Sequence, residues 1–268
     1  MNNITLGVIG CGNMGSAIVR GIVNKNILNP DNICLYDKIE EKSANLAGGT
    51  GCSQCDLSQT VRGSDVLLIA VKPQDFGSLA GDISADITRQ LIISIMAGVT
   101  IEDITKSIGT EVPIVRAMPN LAAFVGEGMT CISCNSMVSM KEETKHIFSG
   151  IGKVLEVKES SMDAVTALSG NGPAYLFYLA QAMLEAGIEA GLDELTSGEL
   201  VVQTLYGSAK FLAGSEDSAE ELIKKVASRG GTTEAALSVF KEKDLKGIIK
   251  TAVIKAKERS QAMSEGKA

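Results

Sequence analysis

The sequence has little of several features that whole classes of protein require. It contains a single histidine, His146, so a Ser-His-Asp hydrolase or a histidine-rich metal site is hard to build. Its formal net charge of -7 disfavours a nucleic-acid surface, because such a surface needs basic residues to neutralise phosphates. The stretch MNNITLGVIGCGNMG has no basic region and reaches glycine too early for a signal peptide, and no apolar run approaches the length of a membrane span. We therefore predict a cytoplasmic protein that binds neither nucleic acid nor membrane.

Cysteine is present, but its spacing does not predict a metal centre. Two CxxC pairs occur, Cys52 with Cys55 and Cys131 with Cys134, and such pairs are typical of zinc sites. The pairs lie much farther apart than the two halves of a zinc ribbon, and the second falls in a segment with the composition of a strand. In a cytoplasmic protein we expect all six cysteines to be free thiols, and we predict no metal site.

The pattern of apolar residues changes near residue 158. Before it, the short runs ITLGVIG, NICLYD, DVLLIAVK, QLIISIMAG, PIVRAM, MTCIS and KVLEV alternate with polar helical segments, which predicts a parallel sheet covered on both faces. After it, helical periodicity predicts helices at roughly 161–169, 173–190, 196–213, 219–227, 233–242 and 245–264. Several of these helices keep apolar or small residues on more than one face, which predicts a homodimer or a ring of dimers.

A glycine motif follows the first predicted strand. Gly10, Gly12 and Gly15 form G-x-G-x-x-G at the start of a helix, where free N–H groups and the helix dipole attract a pyrophosphate. The alternative is three turn glycines at a crowded strand-to-helix junction. The residues predicted to contact this part of a dinucleotide are Ile9, Gly10, Cys11, Gly12, Asn13, Met14 and Gly15. We therefore predict a Rossmann-type α/β dinucleotide-binding domain over residues 1–158, followed by an all-α substrate and dimerisation domain over residues 159–268.

Two charged residues at the end of the second predicted strand bear on the choice of cofactor. Asp37 stands where an acid normally accepts hydrogen bonds from the adenine ribose hydroxyls, which favours NAD(H). Lys38 favours NADP(H), because its ammonium could meet a 2′-phosphate. The alternative is that both are solvated turn charges. The prediction is therefore NADP(H) or NAD(H).

Two further strands end in segments that could line the same cofactor. In AVKPQ, Pro73 stops the strand and turns the chain outward, and in IMAGVT the strand ends in small residues. Lys-Pro is also a common strand terminator with no other role. The cofactor-binding residues predicted here are Ala70, Val71, Lys72, Pro73, Met96, Ala97 and Gly98.

The segment SRGGTTEAAL begins a predicted helix with little side-chain bulk. Gly230 and Gly231 allow the backbone to approach a small ligand, and the N–H groups of Thr232, Thr233 and Glu234 have no earlier carbonyls to pair with. Such donors suit a carboxylate. The alternative is an ordinary helix start, capped by threonine after a glycine loop.

Taken in order, GCGNMG, AVKPQ, MPN with VGEG, LSGNGPAY and SRGGTT resemble pyrroline-5-carboxylate reductase, the enzyme that makes proline. The resemblance covers about residues 5–260. It implies NAD(P)H-dependent reduction of the cyclic imine 1-pyrroline-5-carboxylate, in a helical domain that interlocks with a second subunit. It further implies that the Thr233 hydroxyl meets the imine nitrogen, and that the substrate is bound by Ser228, Gly230, Gly231, Thr232 and Thr233. Asn171, Arg229 and Leu121-Ala122 depart from the family's usual Ser, Pro and Thr-Pro.

Two other functions fit part of the pattern. A dehydrogenase of the β-hydroxyacid type would need a catalytic lysine on the first long helix of the second domain, and residues 173–190 contain none. A non-enzymatic NAD(P)-binding sensor would keep the glycine motif and use the helical domain only to dimerise. Turnover of the imine with NAD(P)H separates both from the reductase.

Overall fold

A computed structural model describes residues 4–265. Its contacts divide the chain into two compact units, of which one runs to Asn171 and resumes at Ala256, and the other is Gly172–Lys255. Residues 159–171 lie in the first unit here, and the boundary at residues 158 and 159 stays a prediction. Within residues 4–265, no helix is both long and apolar enough to cross a membrane.

The first unit is built on one sheet, and the predicted α/β class is confirmed. The described strands form an eight-stranded sheet in the order β3-β2-β1-β4-β5-β6-β7-β8. Their bounds are β1 Leu6–Ile9, β2 Ile33–Tyr36, β3 Ser53–Gln54, β4 Val66–Ile69, β5 Leu91–Ser94, β6 Ile114–Met118, β7 Gly128–Cys134 and β8 Gly152–Glu156. The sheet reverses once, between β1 and β4, which is the switch point where open α/β sheets bind ligands.

Helices cover both faces of this sheet. Their bounds are α1 Asn13–Asn24, α2 Glu40–Thr50, α3 Leu57–Arg62, α4 Phe76–Ile83, α5 Ile101–Ile108, α6 Lys141–Ser149 and α7 Met162–Val165. One core lies between the sheet and α1, α2 and α6, and the other between the sheet and α3, α4 and α5. The central strands β1, β4 and β5 are buried along their whole length, because helices pack on both sides of them.

The expectation of an all-parallel sheet is wrong at one edge. β7 runs antiparallel to β6, whereas β8 is parallel to β7. The cause is the connection between β6 and β7, which is a short 3-10 turn, Leu121–Val125, instead of the helical crossover that a parallel neighbour requires.

The second unit is helical, as predicted. The remaining helices are α8 Gly172–Glu189, α9 Glu194–Gly214, α10 Ala219–Val226, α11 Thr232–Glu242 and α12 Leu245–Ser264, and the last turns of α12 belong to the first unit. Large apolar side chains on α8 and α9 are exposed, among them Tyr178 at 78% and Leu195 at 74%. Apolar surface of this extent marks an interaction face.

Candidate active site

The first glycine of the motif is required by the protein's own packing. Gly10 has a φ of +106°, a conformation that L side chains rarely adopt, and its N–H donates to the Tyr36 carbonyl at 2.8 Å. A Cβ at Gly10 would come within 2.6 Å of the Ala70 carbonyl oxygen, at the end of β4. A Cβ at Gly15 would overlap the Gly10 carbonyl oxygen, so these two glycines let α1 pack tightly against the loop.

Gly12 is different, because nothing inside the protein requires a glycine there. A Cβ at this position would meet no atom within 4 Å, and the backbone is extended, with a φ of -71° and a ψ of -169°. Gly12 is the N-cap of α1, and no side chain caps that helix. The alternative of three glycines at a crowded junction therefore explains Gly10 and Gly15 but not Gly12, whose open backbone suits a pyrophosphate at the helix N-terminus.

Asp37 follows β2 and contacts the glycine loop. Its Oδ2 accepts a hydrogen bond from the Cys11 backbone N–H at 2.7 Å, and its Oδ1 accepts one from the Ile39 N–H at 2.8 Å. Burial, followed by the nearby Asp37 charge, raises the pKa of the Cys11 thiol to about 12, so this thiol stays protonated and unreactive at neutral pH. Each Asp37 oxygen keeps capacity for a second hydrogen bond, which a ribose hydroxyl could supply. Lys38 is exposed beside it.

The two other predicted cofactor segments lie at the same edge of the sheet. β1, β4 and β5 are parallel neighbours, so their carboxyl ends lie side by side. Ala70 and Val71 are half-buried and Lys72 and Pro73 are exposed, while Pro73 begins a 3-10 turn that leads into α4. Met96 is buried, and Gly98 takes a positive φ of +76°. These segments therefore lie at the edge of the sheet where open α/β folds bind ligands.

The predicted substrate segment lies in the second unit. Gly230 has a φ of +72°, and its N–H donates to Glu234 Oε2 at 2.6 Å. The Gly231 N–H donates to the Ser228 carbonyl at 3.0 Å, and Gly231 is the N-cap of α11. No side chain caps this helix, so the alternative in which threonine caps it is wrong. The first N–H groups of α11 therefore remain available to an anion.

One contact at the edge of the sheet could not be predicted from the motifs. The Asn120 amide, two residues after β6, donates from Nδ2 to the Ser169 carbonyl at 3.1 Å and accepts at Oδ1 from the Met129 N–H at 3.2 Å. The motifs MPN and LSGNG are therefore joined in space. Pro173 lacks the N–H that the Ser169 carbonyl would accept in an α-helix, so the sequence indicates that this carbonyl needs another donor but does not indicate which one.

The cysteines are not all free thiols, which corrects the expectation for two of them. A disulfide joins Cys34 of β2 to Cys55, whereas Cys11, Cys52, Cys131 and Cys134 are free. Cys131 and Cys134 lie in β7, where residues three apart point to opposite faces, so this CxxC pair cannot bind one ion. Over residues 4–265, no group of three or more His, Cys, Asp or Glu is placed to hold a metal.

Known proteins match both units of the chain. A family model described as pyrroline-5-carboxylate reductase dimerisation matches residues 159–263, and one described as NADP oxidoreductase, coenzyme F420-dependent, matches residues 5–98. A pyrroline-5-carboxylate reductase of Synechocystis sp. is 36% identical over 98% of this chain and 99% of its own. That of Corynebacterium melassecola is 34% identical over 97% and 99%. The NADP-bound structure of Plasmodium falciparum pyrroline carboxylate reductase has a TM-score of 0.89 and 34% identity, over 98% of this chain and 99% of that one.

Proposed function

The chain belongs to the pyrroline-5-carboxylate reductase family, and we propose from that premise how its own residues carry out the reaction. The enzyme reduces 1-pyrroline-5-carboxylate to L-proline by hydride transfer from NADPH or NADH, a step of proline biosynthesis. The observation that carries this function is identity of about one third along nearly the full length of curated reductases, through both units. Neither the β-hydroxyacid-type dehydrogenase nor the sensor has comparable support, and α8 contains no lysine.

We propose that the dinucleotide lies along the carboxyl edge of the sheet. The uncapped start of α1 at Gly12 would receive the pyrophosphate, and Asp37 the adenine ribose. The segments Ala70–Pro73 and Met96–Gly98 would hold the nicotinamide half, which when bound supplies the hydride. Asp37 and Lys38 favour different cofactors, so both NADPH and NADH are proposed.

The substrate proposal rests on the start of α11. The N–H groups of Thr232 and Thr233 would bind the substrate carboxylate. The turn Ser228–Gly231 directly precedes them and has little side-chain bulk. The Thr233 hydroxyl would hydrogen-bond the imine nitrogen and keep the ring oriented. The imine carbon gains the hydride, the C=N electron pair moves to nitrogen, and nitrogen takes a proton from solvent. Orientation supplies most of the acceleration, so no strong acid or base is needed.

The chain forms an oligomer through its helical unit, since residues 159–263 match a dimerisation family. We propose a homodimer or a ring of dimers, because α8 and α9 each expose large apolar side chains, such as Phe177 at 60% and Phe211 at 65%. Light scattering on dilute protein tests this. An active monomer at nanomolar concentration would rule out the obligate dimer, and a dimer that stays a dimer at high concentration would rule out the ring.

We also propose a cytoplasmic location, because the reaction consumes NAD(P)H, which cells regenerate there. Fractionation of the source cells, followed by immunoblotting with a cytoplasmic marker as reference, tests the location directly.

The function itself is tested by following NAD(P)H absorbance on addition of 1-pyrroline-5-carboxylate, with L-proline measured as product. We expect oxidation of NAD(P)H and formation of proline in equal amounts. A 3-hydroxyacid with NAD(P)⁺ serves as the control substrate, and turnover of that acid alone would indicate the dehydrogenase. Cofactor binding without turnover of either substrate would indicate the sensor.

A further inference from the structure

The Asn120 side chain joins the sheet to the turn that precedes the second unit. Asn120 lies just beyond the carboxyl end of β6, and its amide contacts the backbone of β7 through the Met129 N–H and that of the turn through the Ser169 carbonyl. Both contacts are to main-chain groups, at 3.2 Å and 3.1 Å. An amide placed in this way fixes the position of one segment against the other.

The turn held by Asn120 has unusual geometry. Residues Thr166–Gly170 form a π-helical turn, which ends with the Asn171 N–H donating to the Thr166 carbonyl at 2.9 Å. In an α-helix the Ser169 carbonyl would accept from the N–H four residues on, but that residue is Pro173 and has none. Asn120 supplies the missing donor. Isolated π-turns occur frequently at functional sites.

Two other features of the turn Thr166–Gly170 show why the hydrogen bond from Asn120 matters for its position. The Ser169 hydroxyl oxygen is buried without a hydrogen-bond partner among the described residues, so Ser169 does not hold the turn through its own side chain. A Cβ on Gly170 would come within 2.7 Å of Met118 Cε, so the turn packs closely on the end of β6. The turn therefore lies against the side chain of Met118, the last residue of β6.

The end of β6 lies next to a segment assigned above to the nicotinamide. β5 and β6 are parallel, with Ser94 opposite Arg116, so the segment Met96–Gly98 follows β5 at the same edge of the sheet at which Met118 ends β6. Asn120 thus fixes the position of the backbone at the carboxyl edge of the sheet. It does so on the side opposite the proposed adenosine site.

We propose that Asn120 is a positioning residue, which holds the π-turn Thr166–Gly170 against the end of β6 and so shapes the place where hydride transfer occurs. The inference rests on the proposed function for the location of the nicotinamide. Asn120 itself does not touch the reacting atoms; it acts through the backbone of Ser169.

The chain contains a matched control in Asn135, at the opposite end of the same strand pair. Its Oδ1 accepts from the Ile114 N–H at 3.2 Å and its Nδ2 donates to the Val112 carbonyl at 2.9 Å. Both asparagines are half-buried and both join main-chain groups around β6 and β7. Asn120→Asp and Asn135→Asp each replace an amide donor with a charged oxygen facing a carbonyl, and only the first does so at the cofactor edge.

The experiment compares the two variants with the wild-type oligomer. We expect Asn120→Asp to lower kcat for the imine by roughly 10 to 100-fold, while Asn135→Asp stays within about threefold of wild type. The Kd for NADPH should change little in both, because the adenosine and pyrophosphate contacts are untouched. Hydrogen exchange followed by mass spectrometry should show faster exchange over residues 166–172 in Asn120→Asp and not in Asn135→Asp.

The proposal is overturned if the two variants lose kcat equally, or if exchange over residues 166–172 is the same in both. If Asn120→Asp does not fold, Asn120→Ala is compared with Asn135→Ala, which removes each donor without adding a charge. Failure of the proposed function is distinguishable, because the wild-type enzyme would then not turn over the imine. The exchange measurement would still decide whether Asn120 holds the turn.

Discussion

Asp37 Oδ2 accepts a hydrogen bond from the Cys11 backbone N–H, with 2.7 Å between the two atoms. The acid at the end of β2 is therefore attached to the middle of the glycine loop, and its second oxygen is attached to the Ile39 N–H. The carboxylate thus has two roles. It holds the loop in place, and its remaining lone pairs can accept hydrogen bonds from the proposed ribose.

The first prediction follows from this double task. Asp37→Ala should weaken the binding of both cofactors, because the glycine loop loses its hydrogen bond to the carboxylate. It should weaken the binding of NADH about tenfold more than that of NADPH, because the carboxylate pairs with free ribose hydroxyls. Fluorescence titration with each cofactor measures the two Kd values. Asp65→Ala is the control, since Asp65 accepts from the Thr5 N–H at 3.0 Å at the other edge of the sheet. Equal losses of NADH and NADPH affinity would show that Asp37 does not contact the ribose.

The second prediction separates the glycines of the motif. Gly12→Ala should change the free energy of unfolding by about 1 kcal/mol or less, because its methyl group meets no other atom of the protein. It should raise the Kd for NADPH at least about tenfold, because the methyl group enters the space proposed for the pyrophosphate. Gly15→Ala should instead destabilise the fold by about 1–3 kcal/mol, because its methyl group overlaps the Gly10 carbonyl. Gly81→Ala, on the open surface of α4, should leave the Kd unchanged. Wild-type NADPH affinity in Gly12→Ala would contradict the proposed position of the pyrophosphate.

The third prediction concerns Thr233. Thr233→Val should lower kcat/KM for the imine by roughly 10 to 100-fold, the equivalent of one or two lost hydrogen bonds, and leave the Kd for NADPH unchanged. The thermal midpoint should also be unchanged, because Gly231 and not Thr233 is the N-cap of α11. Thr232→Val, one residue earlier, is the matched control and should have the smaller kinetic effect. A lowered midpoint with normal kcat/KM would assign Thr233 a purely structural role.

The fourth prediction concerns the disulfide. Cys34 and Cys55 are 21 residues apart, and closing a loop of this length stabilises a protein by about 3 kcal/mol in the chain-entropy account. Denaturant unfolding with and without dithiothreitol should therefore differ by about 2–4 kcal/mol, and Cys34→Ser should match the reduced protein. Cys131→Ser, which removes a buried free thiol, should keep the response to dithiothreitol. Titration of all six cysteines in unfolded protein that was never reduced would contradict the pairing.

Much of the fold could be predicted because the strands and helices have distinct apolar periods. The apolar runs predicted the seven longer strands, and the boundaries of α8 to α12 agree with the predicted helices to within a few residues. β3 was missed because it has only two residues, Ser53 and Gln54, both exposed and polar. The direction of β7 was missed because it depends on a connection, Leu121–Val125, that does not complete a helical crossover.

The cofactor edge was easier to predict than the contacts that support it. The glycine motif and Asp37 have a spacing that is typical of dinucleotide binding, and the structure places them in contact. The Asn120 to Ser169 contact joins residues 49 apart, and no local pattern specifies it. The Cys34–Cys55 pairing was likewise hidden, because it depends on the placement of β3 beside β2 and not on either CxxC spacing.

The fate of the transferred hydride tests the proposed reaction most directly. NADPH deuterated at the reactive position of C4 is incubated with 1-pyrroline-5-carboxylate and the wild-type enzyme, and the proline formed is analysed by mass spectrometry and NMR. The proline should carry deuterium at the former imine carbon, and Thr233→Val should form the same labelled product much more slowly. Unlabelled proline, or oxidation of NADPH without proline, would contradict the proposed reaction.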